Sequence, residues 1–153
     1  GGESTSAYGS YAELAADARV AVVYVGVVHP RHQAVVTAML RAGKHVVCEK
    51  PLTLEARTTR ALVAEARAAG RLLLEGMWTR FFPATRRARE LVLSRALGEV
   101  TACTASFMVG PSLADDKTPL EAFASRERIW RRGLGGGALL DVGVYPLAAV
   151  LMA

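Results

Sequence analysis

No stretch of this chain is apolar for long enough to cross a bilayer. The longest apolar runs, such as residues 20–28, fall well short of the roughly 18–20 residues a spanning helix needs. The N-terminus also lacks the basic-then-apolar pattern of a secretory leader, so a soluble, cytoplasmic protein is expected. Cysteine is scarce. Cys48 and Cys103 form no CxxC and have no nearby histidine cluster, which excludes a disulfide framework and a zinc site and leaves two reduced, packed thiols. Acidic residues are the minority, 14 against 19 Lys and Arg, for a net charge of +5. Arg80, Arg86, Arg87, Arg89 and Arg95, then Arg126, Arg128, Arg131 and Arg132, account for much of the excess. They alternate with acids and carry no nucleic-acid-binding motif, so solvated helix faces are expected rather than a nucleic-acid surface.

What is present is a globular pattern: 153 residues with 52% hydrophobic composition are enough for a packed core. Ser10-Tyr11-Ala12-Glu13 has capping-box spacing ahead of a helix to about Ala18. Val20 to Gly26 is a β-branched run of the kind buried on both faces of a parallel sheet. Pro30 opens a helix that Gly43 closes, residues 44–51 hold a second short strand that runs into Glu49-Lys50-Pro51, and Thr53 is placed to cap a helix that ends at Gly70. Leu72 to Glu75 is a third strand. Residues 20–75 therefore read strand, helix, strand, helix, strand, the alternation of right-handed βαβ units in an α/β fold. After residue 76 the character changes. Three aromatics precede a basic helix from Pro83 to Arg95, residues 100–109 alternate like a strand of a second sheet, residues 110–128 read as a loop with one short helix, and the chain is helical from Gly137.

Four stretches carry candidate chemistry. Glu49-Lys50-Pro51 follows a buried strand, at the sheet edge where α/β folds bind ligands; Lys50 there either meets a ligand or is a solvated loop charge. His29-Pro30-Arg31-His32 follows the preceding strand in the same way, as a cofactor-side loop or plain surface, without a third ligand at metal spacing. Asp141 and Tyr145 are at helical i,i+4 spacing, a pairing that suits proton transfer at an alcohol oxygen or, more blandly, a cap and a half-buried core residue. Trp78, Phe81 and Phe82 either stack on a ring or fill the core. Gly133-Leu134-Gly135-Gly136-Gly137-Ala138 spells a dinucleotide fingerprint, but no core strand precedes it and no acid follows at the required distance. It reads as a decoy whose glycines permit close backbone approach.

In sequence order, residues 7–11, Tyr24-Val25-Gly26 with His29-Pro30 and His32, Cys48-Glu49-Lys50-Pro51, residues 78–83 and Gly136 through Tyr145 resemble the glucose-fructose oxidoreductase and inositol dehydrogenase family. Within it they are most similar to the dimeric dihydrodiol dehydrogenases. The resemblance implies that residues 1–76 are the later half of a Rossmann-like dinucleotide-binding domain lacking its GxGxxG strand-turn-helix. Residues 77–153 would begin an α/β, mixed-sheet domain for substrate and dimerisation, so the chain reads as cut at both ends. It implies NADP as cofactor, with NAD as the alternative, held by His29, Pro30, His32, Glu49, Lys50 and Pro51. Lys50 would lie near the nicotinamide, Tyr145 would be the acid/base group, and Asp141 would orient the substrate hydroxyl. Trp78 and Phe81 would wall the pocket. Hydride would pass from a cyclic dihydrodiol or sugar-like alcohol, and the full-length protein would be a homodimer. Two alternatives remain open: a sugar or sugar-alcohol dehydrogenase, such as one acting on D-xylose, and a truncated relative that only binds.

Overall fold

The computed structural model describes residues 5–108 and 127–152. The chain forms two compact units, Gly1–Gly76 and Met77–Ala153.

In the first unit, α1 (Tyr11–Ala16) begins at Ser10, whose hydroxyl accepts from the Glu13 amide. The Glu13 carboxylate reaches back to Gly9 N at 2.9 Å, one residue earlier than the usual capping box. Strands β1 (Val22–Val25), β2 (His45–Cys48) and β3 (Leu73–Glu75) form a parallel sheet in the order β1-β2-β3. Helix α2 (His32–Arg41), entered through a 3-10 turn at His29–Arg31, connects β1 to β2, and α3 (Ala56–Ala68) connects β2 to β3. Both helices end in the same way. Gly43 (φ 75) and Gly70 (φ 62) adopt the left-handed conformation one residue past the cap. The amides of Gly43 and Lys44 bond Leu40 O and Met39 O, and those of Gly70 and Arg71 bond Arg67 O and Ala66 O. These paired bonds are the Schellman closure that glycine allows without steric cost.

Val23 and Val25 point into a core with Val36, Met39, Leu40, Val46, Cys48 and Leu62. Two expectations need correction here. Val22 is 55% and Tyr24 63% exposed, so β1 is covered on one face only. Double burial requires a helical layer on each side, and among the described residues α2 and α3 supply one. Thr53 does not cap α3: its hydroxyl bonds Glu55 O and Thr59 Oγ1, and Glu55 occupies the cap position without a side-chain bond.

The second unit opens with a 3-10 turn at Trp78–Phe81 and α4 (Pro83–Leu93). After residue 126 come α5 (Glu127–Trp130), a 3-10 turn at Arg132–Leu134, α6 (Ala138–Asp141) and α7 (Val144–Val150). Of the strand expected at 100–109, the described residues 100–108 form no strand. Residues 100–108 belong to no ladder, and a strand exists only with a hydrogen-bonded neighbour. The loop and short helix expected within 110–128 lie mostly outside the described residues. Helix α4 ends with the Schellman bonds seen twice before, from Arg95 N to Val92 O and Ala96 N to Leu91 O, yet Arg95 (φ 55) stands where glycine is favoured. Replacing Arg95 with glycine relieves the left-handed strain and is expected to raise stability by about 1 kcal/mol. Urea denaturation checks this, and a lower midpoint would contradict it.

Candidate functional site

The first unit gathers its chemistry at the carboxyl ends of β1 and β2. These strands are parallel neighbours with Val25 opposite Cys48, so the segments that follow them leave from one edge of the sheet. Glu49 N donates to Val25 O at 2.9 Å and continues the ladder by one bond. The Glu49 carboxylate turns back, accepting from the Tyr24 hydroxyl and from Lys50 N. That bond to Glu49, with a smaller contribution from burial, raises the Tyr24 pKa. Lys50 is half-buried and precedes a cis bond to Pro51. Leu52 N donates to Glu75 Oε1 at 2.8 Å, so the last residue of β3 pins the other side of the turn.

His32 is fully buried, with Nδ1 2.9 Å from Pro51 O and Nε2 2.9 Å from Val27 O. It ties the segment after β1 to the segment after β2. His29, 6% exposed, meets the His32 ring edge to face at 5.6 Å. Beside His29 and Pro30 lies a cleft of about 250 Å³, bounded on its other side by Thr53, Leu54 and Glu55. Residues His29, Pro30, His32, Glu49, Lys50 and Pro51 thus converge on one end of the sheet. His32 is inside it, held by two carbonyls. Tyr24, marked in the sequence only within the run Tyr24-Val25-Gly26, and Glu75 do not stand out there as site residues, because only pairing shows that they flank Glu49 and Leu52.

Cys48 is completely buried. Burial, with Glu49 and Glu75 adding to it, pushes its thiol from the ordinary 9.0 up to about 12. Between those values the unfolded chain has released this proton and the folded chain has not. Stability therefore falls as pH rises from about 9 to 12, by up to about 1.4 kcal/mol per pH unit. Denaturation midpoints across that range should show the slope in the wild type and a shallower one in Cys48→Ala. Tyr24 adds to the same trend at higher pH.

In the second unit, the Tyr145 hydroxyl oxygen accepts from Trp78 Nε1 at 2.8 Å. The Tyr145 ring lies 4.6 Å from that of Phe107 and edge-on to Trp78 at 6.0 Å. A cavity of about 220 Å³ opens beside the phenol, lined by Thr79, Arg80, Thr85, Ser106 and Phe107 among others. Phe82, and not Phe81, contacts Trp78 (5.1 Å) and lines this cavity. Phe81 is turned toward the Arg86 guanidinium, 5.9 Å above its ring.

Asp141 and Tyr145 do not share one continuous helix. Pro146 has no amide hydrogen for the Val142 carbonyl and its ring would strike it, so α6 ends at Asp141 and α7 starts at Val144. Asp141 accepts from Arg128 Nη2 at 2.9 Å with its side chain only 13% exposed. The glycine loop makes this pairing possible. Gly137 N bonds Ile129 O at 2.8 Å and Gly136 N bonds Arg131 O, which folds α6 back against the end of α5. The loop is preceded by helical turns and not by a strand, so the apparent fingerprint is a backbone-packing device. Phe107 and Arg128 are the residues sequence reasoning overlooked; the arginine cluster gave a faint signal for the second and nothing gave one for the first. Among the described residues no group of His, Cys, Asp and Glu could hold a metal ion, and no single helix is long and apolar enough to cross a membrane.

Comparison with known proteins covers both units. Residues 3–77 match the oxidoreductase family with NAD-binding Rossmann fold, and residues 85–153 match the GFO/IDH/MocA C-terminal domain. Trans-1,2-dihydrobenzene-1,2-diol dehydrogenase from Sus scrofa is 43% identical over 146 residues, covering 95% of this chain and 40% of the relative. The Xenopus laevis protein of the same name is 42% identical, covering 95% and 41%. Among solved structures, the 3-ketoreductase KijD10 from Actinomadura kijaniata, in complex with NADP and TDP-benzene, superposes with a TM-score of 0.73 at 35% identity, over 94% of this chain and 41% of that one. An aldose-aldose oxidoreductase from Caulobacter crescentus, complexed with glycerol, gives 0.71 at 28% identity, over 95% and 40%. The chain thus spans about two fifths of the length of these relatives.

Proposed function

The chain belongs to the GFO/IDH/MocA oxidoreductase family, and from that premise we propose that the whole protein is a nicotinamide-dependent dehydrogenase that oxidises a cyclic dihydrodiol or a sugar-like alcohol. The observation that carries this reading is the Tyr145 phenol, set at the edge of a cavity with its oxygen held by the Trp78 indole N–H. In its phenolate form a side chain so held can take the proton of an alcohol hydroxyl, becoming the neutral phenol. Asp141, itself fixed by Arg128, would orient that hydroxyl, and Trp78 with Phe82 would form an apolar wall.

A bound nicotinamide supplies the hydride acceptor. In this chain His29, Pro30, Glu49, Lys50 and Pro51 would hold it, with His32 fixing their segments from inside. The fit rests on position and chemistry: the carboxyl ends of adjacent parallel strands are where such folds receive nucleotides, a half-buried lysine stands at that end of β2, and His29 and Pro30 line a cleft there. NADP is the proposed form, as in the Actinomadura relative's complex, and Lys50 would supply positive charge at the cofactor. A homodimer in the cytoplasm completes the proposal. The hydroxyls of Thr79, Thr85 and Ser106 in the cavity favour a second reading, a sugar or sugar-alcohol substrate.

The test is the appearance of reduced nicotinamide when the whole protein is given trans-dihydrodiols or D-xylose, in wild type and Lys50→Met. Loss of positive charge at the cofactor end is expected to lower kcat/KM by about ten- to a hundredfold. Wild-type protein without turnover of either alcohol class, or a Lys50→Met value within about threefold of wild type, would refute the reading.

A further inference from the structure

Arg80 has no role in the chemistry above. It lies two residues after Trp78 in the same 3-10 turn, so the turn that holds the Tyr145 oxygen also places an exposed arginine among the residues lining the cavity beside it. The other cavity-lining polar side chains are uncharged hydroxyls on Thr79, Thr85, Ser106 and Tyr145. Among the described residues that line it, none is acidic. Elsewhere in the unit Arg128 pairs with Asp141, Arg87 with Glu90, and Arg86 lies over the Phe81 ring, while Arg89, Arg95 and Arg132 lie outside the cavity lining. Arg80 makes no ion pair among the described residues.

We propose that the cavity takes an alcohol that also carries an oxyanion, a carboxylate or a phosphate ester, and that Arg80 is the residue that reads it. This rests on Tyr145 being the group that meets the reacting hydroxyl. A neutral diol gives a guanidinium only uncharged, weaker acceptors. A carboxylate or phosphate offers two oxygens in the plane of its fork, and such charge-assisted pairs are roughly twice as strong as neutral ones. The hydroxyls around Arg80 can accept or donate to the rest of a polyol. The cation thus selects for the charged end of the substrate while the phenol faces the end that reacts. Arg80 is exposed to solvent, which places the expected gain at the lower end of the range for charged hydrogen bonds.

The experiment measures binding, without turnover, of three probes to the whole protein by isothermal titration: D-glucose, D-gluconate and D-glucose 6-phosphate. In the wild type at least one anionic probe is expected to bind about tenfold or more tightly than glucose, and which one does so separates carboxylate from phosphate recognition. Arg80→Met should bring the ratio of anionic to neutral affinity to about one. Arg80→Lys, which keeps the charge and loses the fork, should retain part of it. A wild-type ratio below about threefold for both anions overturns the proposal, as does a ratio that persists in Arg80→Met with a native circular dichroism spectrum. The ratio is read independently of catalysis. If it is large in a protein that oxidises no alcohol, the function proposed above fails and the role of Arg80 stands. If neutral alcohols turn over while the ratio is near one, the oxyanion proposal alone falls.

Discussion

Tyr145→Phe is expected to lower kcat/KM for alcohol oxidation by about 10²–10⁴, the range contributed by a positioned acid/base group. The substitution removes one oxygen and leaves the ring in place against Phe107. Trp78 loses its acceptor, but at 52% exposure its N–H can turn to water, so folding stability should change by less than about 1 kcal/mol. A large kinetic effect in a protein of unchanged stability therefore reports on chemistry. The loss should fall on kcat, because the hydroxyl is needed when the proton moves more than when the substrate binds. Steady-state assays on the variant decide the matter; retention of activity within about threefold removes Tyr145 from the mechanism.

Gly136→Ala is expected to destabilise the second unit by about 2–3 kcal/mol. A Cβ at this position would lie 2.5 Å from Ile129 O, 2.7 Å from Arg128 O and 2.8 Å from Arg131 O. All three are backbone atoms, so no side-chain rotation relieves the overlap, and forced backbone shifts of this kind cost about 1–3 kcal/mol. Alanine recovers about 0.4–1 kcal/mol by restricting the unfolded chain, which does not offset three contacts. The damage should extend to the site, because the same loop sets α6 against α5 and so aligns Asp141 with Arg128. Thermal and urea unfolding check the stability loss. A change below about 1 kcal/mol would mean that the loop relaxes far more easily than its three-carbonyl cradle implies.

The parts of this fold that were legible in the sequence are those governed by local chemistry. Ser10 and Glu13 form their box, Gly43 and Gly70 close their helices, and strands 1 to 3 alternate with helices because short-range propensity and tertiary packing agree there. What was misread depends on neighbours. The apolar run at 20–26 does not say how many faces will be covered, and the small, alternating residues at 100–108 do not say whether a partner strand exists. The break after Asp141 was visible in principle: Pro146 stands four residues beyond Val142, and helical spacing alone was allowed to override it. Lys50 in the first unit, and Tyr145, Asp141 and Trp78 in the second, could be marked as candidates because their chemistry is unusual for their positions. Phe107 could not, since an aromatic in a nondescript segment acquires meaning only when a distant ring packs on it. Phe81 and Phe82 are adjacent and chemically identical, and only the geometry of the turn decides which one faces the cavity.

The two carbonyls that hold His32 have a consequence for how this sequence can be recombined. Because one imidazole lies within 2.9 Å of both Val27 O and Pro51 O, the segments after β1 and β2 are mated parts, each shaped to the other through a ring between them. A chimera that took residues 27–32 from one relative and residues 49–51 from another would place that ring against a backbone it was not fitted to, even with every named residue retained. Crossovers that respect the mating fall before Val27 or after Pro51, and those that also keep the Tyr24–Glu49 and Leu52–Glu75 bonds fall before Tyr24 or after Glu75.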